Sequence, residues 1–253
     1  AQLSRGLGDV YKRQGSNTAR SSSNFYALNN VISTLFEIRG VGIGKTSFKR
    51  RINSGLSVGF SFLKTAYENS IFIFDEIAKA NTYSNVIVLE HQRSIYTDVI
   101  KAIDIGSNEM IDFETTMHSS KDSYAISKRD RPLAYIIKQN NFGFIEKLKD
   151  VGIDYVELQK DTVIYSGGYR VIEFNDNFKV YEKMRMQKVV TSIEYNDNGF
   201  SKGDILISMN QKRSNLIAEL LEPEAPNSYV SFGIINTSLN SQLPIYRIKN
   251  LNN

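Results

Sequence analysis

A nearly all-apolar run, VISTLFEI (31–38), leads into a glycine-rich loop, RGVGIGKTS (39–47). After the loop, Leu56, Phe60, Leu63, Tyr67, Ile71, Phe74 and Ala78 recur at three- and four-residue steps. β-branched and aromatic residues on both faces predict a strand buried on both sides, as in a parallel or mixed α/β sheet. The stripe predicts one long amphipathic helix from about Ile52 to Asn81 that covers the sheet. No other feature limits the fold as strongly: strand, loop and helix read as one α/β unit.

Downstream the pattern weakens. SNVIVLEH (84–91) and NEMIDFETT (108–116) read as short strands between polar loops. SKRDRP (127–132) interrupts the pattern with charge and proline and predicts a boundary. Beyond it, LAYIIK (133–138) reads as a strand, and FGFIEKLKDVG (142–152) as a helix closed by Gly152. TVIY, RVIEF, KVYEK, KVVTSIEY and DILISM then read as closely spaced strands. NLIAELLEP (215–223) predicts a short helix, capped by Ser214 and ended by Pro223. The expected fold class is α/β, an incomplete mixed-sheet domain over 15–128 followed by a β-rich α+β domain over 129–253.

The opening stretch, AQLSRGLGDVYKRQ (1–14), has no starting methionine, no apolar period and no cap. It resembles translated adapter read-through; the alternative is an ordinary disordered terminus. It is read as a non-native tail and left out of the fold.

Composition narrows the chemistry. The chain has no cysteine among its 253 residues, which excludes disulfides, thiolate metal sites and a cysteine nucleophile. Net charge is +4 and dispersed; KRR (49–51) and KRDR (128–131) lack the interleaved aromatics of nucleic-acid binders, so no nucleic-acid partner is expected. No apolar stretch reaches the roughly eighteen residues of a membrane span, so no membrane partner is expected either.

Two readings compete for the loop. Gly44-Lys45-Thr46 matches the second half of a phosphate-binding loop, but the first glycine should stand at residue 39, which is arginine. Gly40 leaves one residue too few, so different backbone N–H groups would converge on a phosphate. IFIFDE (71–76) imitates a magnesium-binding strand end, yet Ile71, Phe74 and Ala78 continue the helical stripe. A nucleotide-binding protein of P-loop type therefore stays as an alternative.

The second reading concerns Glu37, near the C-terminal end of the apolar run. A lone buried carboxylate costs several kcal/mol, roughly, unless it is paired or lines a site. It either pairs with Arg39, two residues on and on the same strand face, or stands where ligands bind in open α/β sheets.

Phe36-Glu37-Ile38-Arg39 followed by a glycine-rich loop resembles the general-base strand of the M14 zinc carboxypeptidases. TARSSSNFYALNN before it, RGVGIGKTSFKRR after it, RDRPLAYII (129–137), LLEPEAPNSYVSFG (220–233) and LPIYRI (243–248) are similar, in order, to a bacterial M14 subfamily. LEPEAPNS with SFG is the most specific element. The resemblance implies a mixed eight-stranded sheet flanked by helices, here with an added β-rich domain. It implies hydrolysis of the C-terminal bond of a peptide substrate, and a zinc held by a His-x-x-Glu pair and a later histidine. Glu37 matches the glutamate that takes a proton from water. It also implies a periplasmic or extracellular site.

The departures are specific. The only histidines, His91 and His118, lack a glutamate at the third following position, and both come after Glu37, whereas the family's ligands precede it. The zinc would be bound by residues missing from this chain, and the fragment alone would be inactive. Arg20 is a candidate substrate-binding residue through an anionic group; the competing reading is a solvated loop arginine. Tyr11 lies near the position of the family's substrate-closing tyrosine but inside the suspect tail, and Tyr26 is too close to match, so neither is carried over. A non-catalytic peptide-binding protein with a degenerate zinc site is the remaining alternative.

Overall fold

Four consecutive residues, Ala134–Ile137, have no exposed side chain, and the rest of the core is arranged around them. The structure is a computed structural model that describes residues 19–38, 44–80, 85–138 and 142–249. The tail 1–14, Arg39 and most of the glycine-rich loop lie outside the described residues.

In chain order the elements are α1 (Ser22–Leu28), a 3-10 turn (Gly44–Ser47), α2 (Phe48–Glu68), α3 (Ser70–Ala80), β1 (Val86–Ile103) and β2 (Met110–Asp130). There follow β3 (Ala134–Ile137), α4 (Phe142–Asp150), β4 (Val156–Glu157), β5 (Thr162–Tyr181), β6 (Met184–Phe200), β7 (Ile205–Ser208), α5 (Ser214–Leu221) and β8 (Gln242–Ile248). The fold is mixed α/β. Its described strands form two antiparallel sheets, a ribbon of β1 and β2 and a six-stranded sheet in the order β4-β7-β3-β8-β5-β6.

The six-stranded sheet follows from local chemistry. β3 sits between β7 and β8, so both its faces and both its edges are covered, which is why AYII carries no charged residue. α4 lays Phe144, Ile145 and Leu148 on the core and turns its lysines outward. It ends where Gly152 takes φ +70, donating to the Lys149 carbonyl, while Ile153 donates to the Leu148 carbonyl. A Cβ at Gly152 would stand 2.9 Å from the Arg213 guanidinium, so space as well as backbone conformation requires glycine. The segments TVIY, RVIEF and KVYEK, expected as separate strands, run on as β5. It turns into β6 through Glu182 and Lys183, both at positive φ. A two-residue turn of that kind matches the twist of the paired strands.

Three expectations are corrected in the first half. Residues 31–38 form no strand: the segment is irregular and Val31, Ile32, Leu35 and Phe36 are exposed. No described strand lies beside it to take its backbone hydrogen bonds. It lies instead along α2, where Phe36 meets Phe62 edge-on with centroids 6.1 Å apart. The single helix expected over 52–81 is two, because Asn69 ends α2 by returning its backbone N–H and side-chain amide to the Thr65 carbonyl. The short strands expected over 82–128 are instead a ribbon of 18 and 21 residues.

Burial is lopsided. Every buried apolar side chain among the described residues, except Ile87 and Leu89, lies between Ala134 and Tyr246. α2 and α3 bury none of theirs. Leu56, Phe60, Leu63, Tyr67, Ile71 and Phe74, the stripe that predicted the helix, all face water. Each such side chain forgoes about 1.5–3 kcal/mol relative to burial.

Candidate functional site

Glu37 stands on the irregular segment beside α2, exposed to solvent. The segment is held by apolar contacts: Phe36 on Phe62, and Ile38, whose Cδ1 lies 3.6 Å from where a Cβ on Gly55 would be. Its expected ion-pair partner, Arg39, lies outside the described residues. Glu37 lines none of the three crevices described for this fold.

Neither histidine belongs to a group of three or more possible metal ligands among the described residues. His91 on β1 faces Ala125, His118 on β2 faces Ile95, and both are exposed. Among the described residues no group of three or more His, Asp or Glu side chains could hold a metal ion. These residues do not fit a zinc site.

The phosphate-loop alternative loses its context. Its preceding segment is not a strand, Lys45 is exposed in a 3-10 turn, and Ile71–Glu76 lie within α3 rather than at a strand end.

Arg20 is brought to a different place. Its guanidinium lies 3.4 Å from the ring centroid of Tyr181 and 5.1 Å from that of Phe232, which meet edge-on. It therefore spans from the turn before α1 to the end of β5 and to the SFG turn. α1 itself is seated by Phe25 and Leu28 against the core, and Asn30 Nδ2 donates to the Lys212 carbonyl at 2.9 Å. Between α1, the start of β1 and α5 a crevice of about 630 Å³ opens, lined by Arg20, His91, Lys179 and Glu219 among others.

The segment LLEPEAPNSYVSFG carries a buried ionic cluster that its sequence does not announce. Arg129 donates from Nη1 to Glu222 Oε2 at 2.6 Å and from Nη2 to Glu224 Oε2. Tyr135 Oη donates to Glu222 Oε1 at 2.5 Å, and Arg247 Nε stands 3.4 Å from the same oxygen. Arg247 Nη2 donates to the Asp130 carbonyl, and Thr191 donates from N and Oγ1 to Glu224 Oε1. Burial opposes the Arg129 charge, but Glu222 and then Glu224 outweigh it and raise the pKa of the guanidinium. Burial, then Glu222, holds the Tyr135 hydroxyl well above the usual phenol range. Most of these groups are satisfied by one another; Arg247 Nε is held by charge alone and makes no hydrogen bond. The cluster ties the segment Arg129–Asp130 to the helix end and to β8, a locking function rather than a catalytic one. Arg129 in RDRPLAYII and Glu222 in LEPEAP give no sequence signal of pairing, since ninety-three residues separate them.

Comparison with known proteins finds relatives along almost the whole chain. Carboxypeptidase 2 of Trichophyton equinum and that of Trichophyton tonsurans are each 27% identical over 241 residues, 94% of this chain and 45% of theirs. A probable carboxypeptidase 2 of Arthroderma benhamiae is 25% identical over 208 residues, 81% of this chain and 40% of its own. The chain thus spans about half the length of the curated relatives it matches. No family model matches it, and no solved structure does.

Proposed function

We propose that residues 15–253 are the later part of a zinc carboxypeptidase of the M14 type, and that the parent protein hydrolyses the C-terminal bond of peptide substrates. The observation that carries this reading is the similarity, over 94% of the chain, to proteins named carboxypeptidase 2. The lopsided burial supports it: an apolar stripe on α2 and α3 and a ribbon seated on the core only at one end are what remains when the elements that cover them belong to another part of the molecule. A two-stranded ribbon is at best marginally stable by itself. In this reading residues 15–128 belong to the catalytic domain and 129–253 form the β-rich appendage.

Glu37 is assigned as the general base, a carboxylate that takes a proton from the attacking water. In this reading the zinc is held by residues missing from this chain, and the 253-residue chain alone is inactive. The natural reading frame that contains residues 15–253 tests the proposal. It is expected to carry His-x-x-Glu and a further histidine ahead of Glu37, and its product to hold one zinc per molecule. A complete frame without that pair sinks the peptidase reading and leaves a non-catalytic peptide-binding protein.

A further inference from the structure

The crevice beside Arg20 is continuous with a second one of about 270 Å³; Leu28, Val88, Leu89 and Glu219 line both. Together they make a groove with an apolar floor, lined also by the charged side chains Arg20, Glu90, Arg131, Lys179 and Glu219. Glu219 stands at the middle. It is half-buried, and Asn227 Nδ2 donates to its Oε1 at 2.6 Å. It forms no ion pair among the described residues. At one end Lys179 also forms no ion pair among the described residues, and Arg20 is oriented by its stacking on Tyr181. The larger crevice falls within the usual range for ligand sites, and its α1 wall is held because Phe25 and Leu28 pack on the core.

A half-buried carboxylate with no ion pair among the described residues favours a cationic partner, and the cations at the end of the groove favour a carboxylate. We propose that this groove binds a short peptide presenting a basic side chain to Glu219 and a carboxylate to Lys179 and Arg20. Leu28, Val88 and Leu89 cover the peptide's apolar stem. The carboxylate comes from the peptide's C-terminus or from an acidic side chain; both offer the same two oxygens. Burial raises the pKa of the Glu219 carboxyl despite the Asn227 hydrogen bond, a penalty that a bound cation relieves. The site is separate from Glu37 and does not depend on the peptidase reading.

Calorimetric titration of the 253-residue protein, with a chelator present throughout, tests it. Acetyl-Ala-Ala-Lys should bind, and acetyl-Ala-Ala-Glu should bind about tenfold more weakly or not at all, as loss of one charge-assisted contact requires. The amide of the lysine peptide should also lose affinity. Acetyl-Ala-Lys-Glu-amide distinguishes the sources: recovery means that a side-chain carboxylate serves, and no recovery means that a C-terminus is needed. Glu219→Gln should weaken the lysine peptide about tenfold, and the exposed Lys179→Ala by a smaller factor, with little risk to folding. Absence of binding at millimolar peptide, equal affinity for the lysine- and glutamate-ended peptides, or unchanged affinity in both variants overturns the proposal.

Discussion

The Tyr135 hydroxyl donates a 2.5 Å hydrogen bond to Glu222 Oε1, joining the innermost strand to the end of a helix 87 residues away. Tyr169 is as deeply buried beside the same cluster, yet its hydroxyl has no hydrogen-bond partner. The two tyrosines therefore respond oppositely to one chemical change. Tyr135→Phe should cost about 1.5–3 kcal/mol, the range for a hydrogen bond to a charged group. Tyr169→Phe should be neutral or stabilising, because it removes an unsatisfied buried oxygen. Urea unfolding of the three proteins checks this, and an equal loss in both variants would contradict the bonding pattern.

The exposed stripe supplies a contrast in sensitivity. Leu63→Glu on α2 should leave the stability of the protein within about 0.5 kcal/mol, as for a surface site, because nothing covers Leu63. Ile136→Ala, at a fully buried position of β3, should cost about 2–5 kcal/mol. The same Leu63→Glu change should lower self-association and dye binding, since it breaks a contiguous apolar surface. Sedimentation and dye fluorescence read the second effect independently of the first.

Much of the second half was legible in the sequence, and the reasons are local. Strand β3, helix α4 with its closing Gly152, strand β7 and helix α5 each carry their own local apolar signal. Ser214 is the first residue of α5 rather than its cap, because Arg213 takes the capping position. The run VISTLFEI misled because apolar content predicts burial only where partners exist; here it lies exposed along α2. Two features left no local mark. The break at Asn69 depends on one side chain turning back on its own helix. The Arg129–Glu222–Arg247 cluster joins residues far apart in sequence, whose charges individually read as surface. Glu37 stands out by resemblance alone, and its exposed position beside α2 neither adds to nor removes from that assignment.

Glu219 gives a pH dependence with a definite sign. Burial raises its folded pKa above the ordinary value of 4.5, with the Asn227 hydrogen bond opposing. Arg20, Lys179, His91, Glu90 and Arg131 line the same crevices. The folded state then holds this proton to higher pH than the unfolded state. The associated stability is fully present below 4.5 and is lost as pH rises through the raised value. Glu219→Gln should flatten the stability–pH curve in that window and be the more stable protein at neutral pH. Denaturant midpoints measured from pH 4 upward, at about half-unit steps, check the slope.

The catalytic assignment of Glu37 is tested most directly in the parent protein, by comparing C-terminal amino-acid release by the wild type and by Glu37→Gln. The variant is expected to lose about two to four orders of magnitude in kcat, the contribution of a general base, while its zinc content stays that of the wild type. Near-normal release by the variant, or no release by a zinc-loaded wild type, contradicts the account.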